Sequence, residues 1–202
     1  MKYYKPQLFA ILFLIVLPAC SVFGDVSVKI APYSLISKDG VFEIRQYEHL
    51  LLASTATPHG VDNASTPFYK LFGYISGKND KMEKIAMTAP VFMNQAGEGT
   101  EEMSFVFPAD FSLAMAPNPI DPTVKLEEIK NYRVAVISFS GFLNQASISY
   151  HQKLLQNWMA ERDLTTTGAA RAAGYNPPFT LPFLRRNEIF ISVGKNLNKS
   201  ME

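Results

Sequence analysis

The sequence predicts an α+β domain: a pseudo-two-fold βαββ repeat whose antiparallel strands form a curved sheet or distorted barrel, with two helices against it. Three observations predict it. The order strand, helix, strand, strand occurs twice along the chain. Each helical stretch carries apolar residues at helical spacing. A proline-spaced connector, Pro117-Asn118-Pro119-Ile120-Asp121-Pro122, separates the two copies. Neither half alone offers enough apolar surface to stand by itself, so one domain over residues 33–195 is expected, with a tail over 196–202.

The first half opens with Tyr33–Ser37 and Val41–Tyr47 flanking Asp39-Gly40, a hairpin signal because glycine tolerates the positive φ of a tight turn. Leu50–Thr57 continues the extended chain until Pro58, Gly60 and Asn63 break it. From Ser65 to Gly77 the apolar residues Phe68, Leu71, Phe72 and Ile75 fall at i, i+3, i+4 and i+7 of a helix. Pro67 suits its first turn and Gly77 its end. Strands follow at Lys84–Met93 and Met103–Phe107. The second half repeats the order with strands at Val124–Ile129 and Arg133–Ser140. A helix runs from Asn144 to about Asp163 with Ile148, Leu155, Trp158 and Met159 on one side, and extended segments follow at Tyr175–Leu184 and Glu188–Val193.

The N-terminus reads as a targeting segment. A short cationic start with Lys2 and Lys5 leads into the apolar run Leu8–Leu17, too short to span a bilayer as a mature helix. It ends in Leu17-Pro18-Ala19-Cys20, and Cys20 is the single cysteine of the chain. This looks like a bacterial lipoprotein box, with residues 1–19 a signal peptide, Cys20 the acylated residue and 20–32 a tether. The alternative is an ordinary secretory signal with an incidental cysteine. The lipoprotein reading implies a membrane-anchored envelope protein facing the periplasm, and Ser21 after the cysteine favours the outer membrane. More than one acyl chain would make the anchor durable, because one chain alone binds reversibly.

Composition narrows the function. Hydrophobic residues make up 48% of the chain and the formal net charge is +1, which loses Lys2 and Lys5 with the signal peptide. No basic stripe remains to neutralise phosphates, so nucleic acid is not an expected partner. There is no His-Glu-x-x-His, no Gly-x-Ser-x-Gly, no phosphate-cradling glycine loop and no metal-ligand spacing, so an enzyme is not expected.

Six ordered segments carry a resemblance: Glu43-Ile44-Arg45-Gln46-Tyr47, Gly77-Lys78-Asn79-Asp80, Ile85–Val91, the proline connector, Gly174-Tyr175-Asn176-Pro177-Pro178, and Arg185-Arg186-Asn187-Glu188. Together they resemble the SOUL haem-binding protein family from about Tyr33 to Val193. The resemblance implies the barrel with two helices and a non-covalent haem or other tetrapyrrole as ligand. Some family members are thought to ligate iron through a histidine after Glu-Ile-Arg, where this chain has Gln46. Others hold haem on the apolar face of the first helix, which implies Phe68, Leu71, Phe72 and Ile75 here. Ser65 stands near the position of a propionate-binding cation, and Lys70 is the nearest basic residue. Tyr175 matches a tyrosine expected beside the ligand.

Each assignment has a structural alternative. The four apolar helix residues are read first as core, with a ligand-facing subset as the alternative. Arg185, Arg186 and Glu188 are read as a charge cluster fixing the last strand in preference to a propionate site. Tyr175 fits either role. Of the three histidines, His49 and His151 are assigned to the surface. His59, in the loop before the helix, is an exposed loop residue or the one axial candidate for iron. Without thiolate, binding rests on apolar contact. Covering on the order of 400 Å² of porphyrin contributes roughly 10 kcal/mol. Association costs at least about 4 kcal/mol, which leaves a dissociation constant of about tens of micromolar.

The function expected is that of an envelope-anchored tetrapyrrole-binding protein: a carrier, buffer or scavenger. Two readings compete with it. One is a binding module for another amphipathic small molecule, since SOUL domains resemble effector-binding domains of transcription regulators. The other is a structural envelope lipoprotein with no haem role.

Overall fold

The computed structural model describes residues 28–58, 66–95 and 100–194. The expected signal segment and tail, with Cys20, His59 and Ser65, lie outside the described residues. Among the described residues, nine strands and two α-helices follow in order: β1 (Lys29–Ile30), β2 (Ser34–Asp39), β3 (Phe42–Pro58), α1 (Pro67–Ile75), β4 (Thr88–Ala89), β5 (Val91–Gln95), β6 (Thr100–Val106), β7 (Lys125–Phe139), α2 (Gln145–Ala160), β8 (Arg171–Gly174) and β9 (Asn187–Ser192). No helix among the described residues is long and apolar enough to cross a membrane.

The expected curved sheet closes. β3 pairs antiparallel with β6, β6 with β5, β5 with β8, β8 with β9, β9 with β7, and β7 returns to β3 along Phe42–Ser54. Six strands therefore form a barrel, and β2 extends it as a hairpin partner of β3. The pairings make the internal symmetry explicit. β3–β6 is matched by β7–β9 and β5–β6 by β8–β9, while β5–β8 and β3–β7 are the seams on which the pseudo-two-fold lies.

Alternation along each strand separates the interior from the helix-covered outside. Val134 and Val136 join Tyr47, Leu52, Phe92 and Phe190 inside the barrel. Their neighbours Ala135 and Ile137 face outward beneath α2, against Leu155, Trp158 and Met159. On the other half, Leu51, Ala53 and Phe105 meet Leu71, Tyr74 and Ile75 of α1. The second helix starts at a capping box in which Asn144 Oδ1 accepts from the Ser147 N–H at 2.9 Å and the Ser147 hydroxyl accepts from the Asn144 N–H.

Ordered structure is already present before Tyr33: Lys29–Ile30 pairs in parallel with Thr88–Ala89, and Ala31 enters the barrel core. Three strand expectations are corrected. The two strands expected around residue 130 are one, β7; Asn131 absorbs the irregularity at φ 53° without ending it. Tyr175–Leu184 is not a strand. Pro177, Pro178 and Pro182 cannot donate to a ladder, so the strand falls earlier, at Arg171–Gly174, and a loop with a short 3₁₀ turn at Pro182–Leu184 follows. Lys84–Met93 is likewise split, with a cis Ala89–Pro90 bond between β4 and β5.

Candidate functional site

The helix α1 divides its residues between two environments. Leu71 and Ile75 are buried against the sheet, as Tyr74 is, and its phenol donates to the Pro117 carbonyl at 2.7 Å. Burial, with the nearby charges of Asp80 and Glu83 adding to it, pushes the Tyr74 phenol up to about 12. Phe68, Tyr69 and Phe72 face away from the core at 37%, 54% and 46% exposure. Positions i, i+1 and i+4 occupy one continuous arc of a helix. The Phe68 and Phe72 rings stack, with centroids 5.9 Å apart and planes 8° apart, and Tyr69 meets Phe68 edge-on at 5.6 Å. Phe68 also rests edge-on against Phe105 of β6, which fixes the base of the arc on the barrel.

Beside this arc runs a groove of about 450 Å³ on the outer face of the barrel, between the first turn of α1 and the first two turns of α2. Pro67, Met93, Met103, Ile148, Ala172 and Ile189 give it apolar walls, and Met93 and Met103 are cross-strand partners. Glu101 and Glu102 stand at its edge. On the opposite flank of α1 a smaller recess of about 260 Å³ is bordered by Lys70, Lys78, Tyr69 and Ile120. The Lys70 ammonium donates to the Thr123 hydroxyl at 3.2 Å. Asp121 lines the same recess, and its carboxylate accepts from the Thr123 hydroxyl at 2.6 Å, so two ammonium groups and one carboxylate border this flank.

These positions sort the expected site residues. Phe68, Phe72 and Lys70 lie where a ligand on α1 would meet them. Leu71 and Ile75 do not, because they are sealed in the core, and Tyr175 is buried in the barrel, away from that arc. Gln46 sits in β3 with its amide donating to the Tyr47 carbonyl. His49 pairs with Glu128 at 2.9 Å, and His151 bonds the Ser147 carbonyl and stacks on Phe139 at 3.7 Å, half-buried instead of on the surface. Among the described residues no group of three or more His, Cys, Asp or Glu side chains is placed to hold a metal ion. Tyr69, Met93, Met103 and Lys78 were not proposed as ligand contacts by sequence. Tyr69 falls off the i, i+3, i+4 stripe because that stripe marks the buried face.

Two of the six segments that carry the resemblance, Glu43–Tyr47 and Arg185–Glu188, meet each other and not the groove. Glu188 of β9, fully buried, receives Arg45 of β3 in a two-pronged pair at 2.8 and 2.9 Å. It also accepts from the Tyr175 phenol at 2.6 Å, the Ser138 hydroxyl at 2.9 Å and the Arg186 guanidinium at 2.8 Å. Glu43 takes the remaining face of Arg45 at 2.7 Å and is itself paired to Lys38 at 2.9 Å. Burial alone would raise the Glu188 carboxyl; Arg45 and Arg186 outweigh it and hold the group below the usual carboxylate range. Burial, reinforced by the Glu188 charge, lifts the Tyr175 phenol well above its ordinary value, so it stays a proton donor. The expected charge cluster on the last strand is present through Arg186 and Glu188. Arg185 is outside it and donates to the Thr180 and Pro178 carbonyls. The Gly77–Asp80 segment is structural as well: buried Asn79 donates to the carbonyls of Tyr74 and Glu83 and accepts from the Glu83 N–H.

The chain is similar to Heme-binding protein 1 of Mus musculus, 31% identical over 184 residues that cover 85% of this chain and 95% of the relative. It is 32% identical to Heme-binding protein 2 of Homo sapiens over 171 residues, covering 80% of this chain and 82% of the relative. The EcmrR C-terminal domain has a related fold at 12% identity, with a TM-score of 0.54 over 81% of this chain and 98% of that domain. The family model described as SOUL heme-binding protein matches residues 28–192, the whole barrel with both helices, and the chain belongs to that family.

Proposed function

We propose that this protein binds haem, or another flat tetrapyrrole, non-covalently on the outer aromatic arc of α1 and along the adjoining groove. The observation that carries the reading is the exposed aromatic cluster in which Phe68 stacks on Phe72 and meets Tyr69 edge-on, an apolar patch that folding has left uncovered. Family membership supplies the ligand class, and relatives are named for haem binding. The chain's own residues fit such a ligand. The rings take the macrocycle face by stacking. Lys70 and Lys78 suit the propionates, and Glu101 and Glu102 across α1 disfavour the reverse orientation. Haem would bring its own iron chemistry. The protein contributes apolar cover and charge, and Met93 and Met103 are the soft donors along the groove wall.

Binding by surface contact gives an affinity of about tens of micromolar, by the balance of roughly 25 cal/mol per Å² covered against association cost. That suits a carrier or buffer that exchanges its ligand, held at the envelope by acylation of Cys20 and facing the periplasm. Titration of haemin into the purified chain should give a saturable Soret change. Replacing Phe68 or Phe72 with Ala should weaken binding about tenfold each, since uncovering some 50 Å² of ring contact costs a little over 1 kcal/mol. A Soret band that never saturates, or that is indifferent to both substitutions, removes the α1 site.

A further inference from the structure

We propose that the barrel end carrying the β7–α2 and β8–β9 loops is a docking surface for an anionic lipid bilayer. Four large apolar side chains project there without cover. Phe142 is 61% exposed, Phe179 65% and Phe183 69%, and Leu181 is also exposed. They form one patch, because Gly141 donates to the Pro182 carbonyl at 2.8 Å and Arg185 ties both loops together. Its guanidinium lies 5.6 Å from the Phe142 ring centroid and donates to the Pro178 and Thr180 carbonyls. Such a cluster on a folded surface is unusual enough to mark an interaction site.

Charge identifies the occupant. Residues 140–144 and 175–186 contain no Asp or Glu and two arginines. Arg185 bonds only neutral carbonyls and forms no salt bridge among the described residues, so its charge is free to meet an anionic surface. Aromatic rings bordered by arginine suit the headgroup layer, where the rings enter the acyl boundary and the cation stays with the phosphates.

Topology supplies a second, independent argument. β8 ends and β9 begins at the paired residues Gly174 and Asn187, β7 ends at Phe139 against the same Asn187, and β5 begins at Val91 against Gly174. β4 immediately precedes β5, and β1 pairs with β4, so the chain arriving from the N-terminus joins the barrel at this same end. Cys20 precedes Val28 by eight positions in the sequence. Fully extended, the chain from Cys20 to Val28 reaches at most about 30 Å. An acyl anchor at Cys20 would hold this end, and not the α1 groove, towards the bilayer. This part of the argument rests on the proposed anchor; the exposed patch and its charge do not.

The test uses the full chain carrying Phe183→Trp, a change at an exposed position, with the unsubstituted chain and its Trp158 as the reference spectrum. It is mixed with phosphatidylcholine vesicles or with vesicles also containing phosphatidylglycerol. The expected result is a blue-shifted indole emission, quenched by chain-brominated lipid, on the anionic vesicles. Arg185→Ala should lower the partition coefficient about fivefold, the effect of one cation at an anionic surface. Persistence of the quenching in a Cys20→Ala chain would support docking even if the anchor fails. Flotation with both vesicle types while the emission stays as in buffer would overturn docking and leave the anchor standing. Flotation with neither overturns both. A blue shift without vesicles would assign the patch to a second copy of this chain and overturn the lipid proposal.

Discussion

Glu188 joins three strands and a loop through one carboxylate. Arg45 reaches it from β3, Ser138 from β7, and Tyr175 and Arg186 from the β8–β9 connection. Removing one partner of a buried ion pair leaves the other charge stranded, so Glu188→Gln should lower stability by about 3–5 kcal/mol in urea unfolding. The pH dependence has a definite sign. Glu188 and Glu43 both titrate below their ordinary value in the folded chain. Their contribution is therefore complete above the unfolded carboxylate range of about 4.3, and it is lost as pH falls from there through the depressed folded values. Unfolding midpoints should drop on acidification below about pH 4.3, and Glu188→Gln should show a shallower drop. Tyr175→Phe separates two roles that sequence left open. It removes a buried hydrogen bond to a carboxylate and should cost about 1.5–3 kcal/mol, with no change in haemin affinity. Weaker haemin binding at unchanged stability would return Tyr175 to the ligand site.

Among the elements, what the sequence made legible follows from how local each cause is. The Asp39-Gly40 turn and the helical spacing of α1 and α2 each depend on residues a few positions apart, and each lies where the pattern puts it. The strand expected over Tyr175–Leu184 failed because its apolar residues are interrupted by prolines, and those residues form the exposed patch instead. The site was half legible for a related reason. An apolar stripe identifies a helix, but its best-spaced members Leu71 and Ile75 are the ones the sheet covers. The exposed face is what remains, Phe68 and Phe72 with Tyr69, and only the packing reveals it. The partner of Glu188 was hidden similarly, since Arg45 lies 143 positions away and meets it only when the barrel closes. The ammonium groups of Lys70 and Lys78 beside α1 lead to a prediction of their own. Lys70→Glu with Lys78→Glu should weaken haemin binding and remove its salt dependence, while protoporphyrin dimethyl ester, which lacks free propionates, should bind both chains equally. Equal haemin affinity in the two chains would place the propionates elsewhere.

At the scale of the whole molecule, the closed barrel decouples stability from ligand. Its interior is filled by Tyr47, Phe92, Val134 and Phe190, and its charged end is locked by Arg45 and Glu188, so neither needs haem to complete it. The α1 arc and the groove lie outside that shell, where a ligand can come and go without opening the core. A ligand that binds only the folded chain must still stabilise it by mass action. At ten times the dissociation constant the gain is about 1.4 kcal/mol. For a chain of this size that corresponds to a rise in Tm of roughly 3–6 °C. Haemin should therefore produce a small, concentration-dependent shift in the melting temperature, and the shift should vanish in the chain carrying both Phe68→Ala and Phe72→Ala. A rise of tens of degrees would mean that haem completes the core, in conflict with a barrel already filled by its own side chains. No rise at saturating haemin would leave the aromatic arc without a tetrapyrrole role.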